Sequence, residues 1–98
     1  MKQEIQTFTI DWQGVALSVT YNPAAFGGAT AHIEIHVLSP ARAPLPITET
    51  GYRSHFLPPV YVEDAGGPVA YVLAWLDQAA QSREWRDHVE RSRQGSLF

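Results

Sequence analysis

The sequence predicts an α+β domain: an antiparallel meander of three to four strands, opened by an N-terminal hairpin, with two C-terminal helices packed on one face. Three observations carry that reading. Apolar residues recur at every second position through residues 6–21 and again through 32–38, the period of a half-buried strand. The breaks between these runs hold Gly, Pro and Asn, the residues of turns. After Gly66-Gly67-Pro68 the apolar spacing changes to that of a helix. Strands first and helices last imply a sheet with helices gathered on one face, the other face meeting water.

The hairpin is read from Phe8, Ile10 and Trp12 before Gln13-Gly14, and Val15, Leu17, Val19 and Tyr21 after it. A glycine supplies the positive φ that a two-residue hairpin turn needs. Folding there sets Trp12 opposite Val15, Ile10 opposite Leu17 and Phe8 opposite Val19, all on one face. NPAAFGGATA (22–31) is expected as a loop. HIEIHVL (32–38) is a third strand, with Ile33, Ile35 and Val37 on one face and His32, Glu34 and His36 on the other. PARAPLP (40–46) cannot sit inside a sheet, because each proline lacks a ladder donor. It reads as a stiff connector. A fourth strand is expected over 52–57, ended by Pro58-Pro59, with Val60-Tyr61-Val62 as the alternative strand.

Pro68 suits the first position of a helix, where its missing N–H has no partner to lose. Val69, Val72, Leu73 and Leu76 follow at helical spacing. Ser82 reads as the N-cap of a second helix, with Trp85 and Val89 one turn apart on its inner side.

Length bounds the rest. The 98 residues suit one domain, assigned to 1–93 with 94–98 as an interaction tail. Residues 1–81 carry three basic against seven acidic residues, a net of -4, while 82–98 carry four against three, a net of +1. Neither part has the basic face that duplex binding requires, so direct nucleic-acid binding is not expected. With no cysteine, thiolate chemistry and disulfides are excluded. The N-terminus lacks the apolar core of a signal peptide, and no stretch approaches the roughly 20 apolar residues of a membrane span. A cytoplasmic location is expected, with no membrane attachment and an undetermined oligomeric state.

Few residues suggest chemistry. His32, Glu34 and His36 share a strand face. Were Tyr52 and Phe56 to point to the core, Arg53 and His55 would join them there. That surface could hold a metal or an anion, giving an enzyme or a ligand-binding protein. Ligands two apart on one straight strand close poorly around a tetrahedral ion, so no metal or other cofactor is assigned and the set remains a secondary surface site. Ser54-His55 cannot form a nucleophile–base pair on a regular strand, because neighbours face opposite ways. Gly66-Gly67-Pro68 precedes a helix but lacks the Lys-Ser or Lys-Thr of a phosphate loop. Tyr71 and Trp75, four apart, read as packing. No catalytic residue is assigned.

The last five residues are different. Gln94-Gly95-Ser96-Leu97-Phe98 resembles the pentapeptide by which bacterial replication and repair proteins dock on the sliding clamp of DNA polymerase. Gln94, Ser96, Leu97 and Phe98 match that pattern; Gly95 replaces its usual Leu, which removes one apolar contact. The resemblance implies a non-catalytic adaptor or modulator with a protein partner. Two other readings compete: Leu97 and Phe98 could fold back near Trp85 as a structural tail, or a PDZ-type domain could capture the terminal carboxylate. The stretches PLPITETGYRSHF and GGPVAYVLAWLDQAAQSREW look like small proteins of proteobacterial genomes and their mobile elements, a resemblance that implies no activity.

Overall fold

The computed structural model describes residues 5–25 and 30–95. Four strands, β1 (Gln6–Trp12), β2 (Val15–Ala25), β3 (Thr30–Ser39) and β4 (Tyr52–Leu57), precede three helices, α1 (Pro59–Ala65), α2 (Pro68–Ala79) and α3 (Arg83–Gly95). The sheet is antiparallel throughout, in the order β1-β2-β3-β4. It is the expected α+β meander.

The hairpin takes the predicted register: Trp12 pairs with Val15, Ile10 with Leu17 and Phe8 with Val19. Gln13 and Gly14 both have positive φ, 49° and 83°, the conformation that matches the twist of the flanking strands. From this face the core grows inward. Leu17, Val19, Ile33 and Ile35 are fully buried, and Val72 and Leu76 of α2 close over them. Each such side chain contributes about 1.5–3 kcal/mol of transfer free energy.

Three expectations need correction. The segment 22–31 is not simply a loop, since β2 continues to Ala25 and β3 begins at Thr30. Pro23 falls within an irregular stretch of β2, where a residue without a ladder donor is tolerated. A register shift between Asn22 and Ala25 takes up the irregularity, with the Ala24 N–H donating to Asn22 Oδ1 at 3.1 Å. Second, Val60-Tyr61-Val62 is helical: Pro58 and Pro59 start α1, a helix not anticipated, and Val62 is its buried residue. Third, the Pro-rich connector contributes to the core. Leu45 is buried and pairs with Thr48 through two backbone hydrogen bonds of 2.8 and 3.0 Å. Gly51 lets this loop lie close, because a Cβ there would sit 3.1 Å from the Arg42 Cα.

Candidate functional site

Two surfaces are candidates, the open sheet face and the C-terminal helix. On the open face, β3 presents His32, Glu34 and His36, and the β3–β4 register sets Phe56, Ser54 and Tyr52 opposite them in that order. The His32 ring stacks on Phe56 with centroids 4.4 Å apart, and His36 meets Tyr52 at 4.6 Å. His32 Nε2 and Ser54 Oγ share a hydrogen bond of 2.6 Å. The result is a ladder of two imidazole–aromatic pairs flanking Glu34.

This register divides the predicted surface set. Arg53 and His55 pair with Ile35 and Ile33, so they lie on the helix-covered side, away from His32, Glu34 and His36. The parity of β4 is set by Leu57, which is buried opposite the buried Ala31. An aliphatic side chain at that end outweighs two aromatics that find imidazoles to pack on outside. Only the strand's last residue signals this, and the Tyr52–Phe56 spacing points the other way.

On the covered side, His55 lies 4.5 Å from the Trp75 ring and 6.3 Å from Tyr71, and the Arg53 guanidinium stands 5.5 Å over Trp75. Burial, and then the Arg53 charge, lowers the His55 pKa from its ordinary value, since both disfavour a second positive charge. Tyr71 and Trp75 are 6.1 Å apart and form the packing pair expected of them.

The chemistry available is slight. Among the described residues no three His, Asp or Glu side chains form a group that could hold a metal ion. Ser54 is bonded to His32 and not to His55, and no carboxylate among the described residues hydrogen-bonds that imidazole. Among the described residues the pair has no carboxylate bonded to it as the orienting group of a nucleophilic triad.

The second surface is built on α3. Its first turn is capped as predicted, the Trp85 N–H donating to Ser82 Oγ at 3.1 Å. Trp85 then meets Trp12 at a centroid distance of 5.8 Å, and the Trp12 indole N–H donates to Asp77 Oδ1 at 2.9 Å. This joint ties α3 to the hairpin and to α2. A groove of about 570 Å³ runs beside it, walled by Pro44, Leu45 and Pro46 on one side and by Trp85, His88 and Arg91 on the other. The molecule measures 55 × 23 × 19 Å along its principal axes. The helix runs to Gly95, so Gln94 and Gly95 belong to its last turn and not to a separate tail. Ser96, Leu97 and Phe98 lie outside the described residues.

The chain belongs to the KlcB third-domain family, whose model matches residues 5–85. The match spans the sheet, α1, α2 and the joint at Trp85, and stops before most of α3. No curated protein and no solved structure matches the chain.

Proposed function

We propose that the chain is a small non-catalytic interaction domain that engages a protein partner through the end of α3 and the residues after it. Gln94, Ser96, Leu97 and Phe98 make the contact, and the bacterial sliding clamp is the partner whose ligands they resemble. The observation that carries this reading is the attachment of α3. Its firmest attachment among the described residues is its first turn, at Trp85, and no strand or other helix makes an extensive contact with it there. A helix held at one end suits the delivery of a docking segment to a second surface.

The family match ends at residue 85, so the proposed docking segment lies outside the matched body.

Burying Leu and Phe in a preformed pocket gains about 1.5–3 kcal/mol each, offset by about 1–2 kcal/mol of backbone entropy per ordered residue. The two terms largely offset one another, so a weak contact is expected. Binding of purified clamp to the wild-type chain and to Leu97→Ala/Phe98→Ala, followed by fluorescence anisotropy, tests the proposal. The double variant should weaken binding at least tenfold, and equal binding by both proteins would remove it.

A further inference from the structure

We propose that two copies of this chain join edge to edge along β1, antiparallel, about a two-fold axis at Thr9. The sheet has two outer edges, β1 and β4, and they differ. The β4 edge is closed, because the Tyr52 carbonyl accepts hydrogen bonds from the Thr48 and Thr50 hydroxyls at 2.7 and 3.5 Å. The β1 edge has no such cover. Among the described residues no strand lies beyond it, and no loop or side chain hydrogen-bonds to the backbone of residues 7–11. The turn decides which groups face outward. Gln13 and Gly14 have the positive φ of a two-residue hairpin, so Trp12 and Val15, which flank them, form a hydrogen-bonded pair. Hydrogen-bonded and non-hydrogen-bonded pairs then alternate along the ladder. Phe8 and Ile10 direct their N–H and C=O groups to β2, and Thr7, Thr9 and Asp11 direct theirs away from the sheet.

Such a row is a template for another strand, and β1 holds neither a lysine nor a proline, two devices that protect natural edges. Its side chains select a second copy, in one register. An axis at Asp11 would set two carboxylates directly opposite each other, a repulsive pair. An axis at Thr7 would set Phe8 opposite Gln6. An axis at Thr9 sets Thr9 opposite its own mate and Phe8 opposite Ile10 of the other copy. It also sets Thr7 opposite Asp11, where a hydroxyl can donate to a carboxylate. The Thr7 hydroxyl stands 3.2 Å from that of Thr20, and it can accept there while donating across the axis. Phe8 and Ile10 lie on the helix-covered face yet are only half-buried, whereas Trp12 on the same face is buried. Aromatic–β-branched cross-strand pairs are among the more stabilising in sheets, and this register makes two of them. Because the β4 edge is closed in both copies, growth stops at the pair. The assembly is a two-fold dimer with one eight-stranded sheet.

Sedimentation equilibrium and cysteine cross-linking test the pairing. Thr9 Cα atoms paired at the axis would stand about 5.5 Å apart, within disulfide range, in a chain that has no native cysteine. Two copies of Thr7 would be offset by four residues along the ladder, about 14 Å. On oxidation, Thr9→Cys should give a covalent dimer and the equally exposed Thr7→Cys should not. In sedimentation equilibrium the wild type should be a reversible dimer. Thr9 is exposed, so Thr9→Lys leaves the fold intact, with an unchanged far-UV spectrum, while setting two ammonium groups face to face. It should raise the dissociation constant at least tenfold, about 1.4 kcal/mol. Tyr61→Lys makes the same charge change at an exposed position on α1, and it should leave the dimer unaltered. A wild type still monomeric at about 0.1 mM would overturn the proposal. So would equal cross-linking of Thr7→Cys and Thr9→Cys, or dimers kept in Thr9→Lys and lost in Tyr61→Lys. None of these variants touches α3, so the outcome is independent of the docking segment.

Discussion

At the scale of single residues, His55 gives the most direct handle. Its pKa in the folded chain is lowered, by burial first and by Arg53 second. In the unfolded chain it returns to about 6.5. Between the two values the unfolded state holds more protons, so stability rises with pH across that window. The contribution is complete above about pH 6.5 and is lost as pH falls through the lower, folded value. Arg53→Gln should move the folded value part of the way back, because burial remains. An NMR titration of the ring protons checks both statements, and a midpoint at or above 6.5 in the wild type would contradict them. The same residue marks a limit of sequence reading. Alternation placed Arg53 and His55 outside with His32, Glu34 and His36, since Tyr52 and Phe56 look like core residues. The deciding side chain, Leu57, stands at the strand's end, where a local pattern gives it no more weight than its neighbours.

Among the elements, the hairpin was the most legible, because its turn chemistry and its apolar pairs specify one register together. α2 was legible for a similar reason: Pro68 fixes its start, and Val72 and Leu76 fall on one face. α1 was not, since three residues of Val-Tyr-Val have no distinguishable period and carry strand propensity. What makes them helical is the extended Pro58 before them and the left-handed Gly66 after them. Leu45 escaped notice because its burial depends on a loop closing over the sheet, a tertiary event with no periodic signature. For α3, the Ser82 cap and the Trp12–Trp85 contact are two attachments among the described residues. Ser82→Ala should destabilise the helix by about 0.5–1 kcal/mol. Trp85→Ala should release it as a unit. Hydrogen exchange of residues 86–91 should then accelerate by more than tenfold while exchange in β2 and β3 stays slow. Uniform loss of protection across the sheet would show that α3 is integral to the core rather than attached to it.

For the whole molecule, the sheet and α2 form the packed body, and the proposed docking role falls on α3 and the residues after it. The division also matches the extent of family resemblance, which covers 5–85 and leaves most of α3 outside. The mild charge, net -3 over 98 residues, offers little electrostatic steering, so the proposed docking would rest on the apolar pair Leu97-Phe98. The most direct measurement of this account is an NMR titration of the isotopically labelled chain with unlabelled sliding clamp. Amide signals from 91–98 should broaden or shift while those of His32, His36, Tyr52 and Phe56 hold still. An unchanged spectrum at saturating clamp, or changes centred on the sheet face, would contradict it.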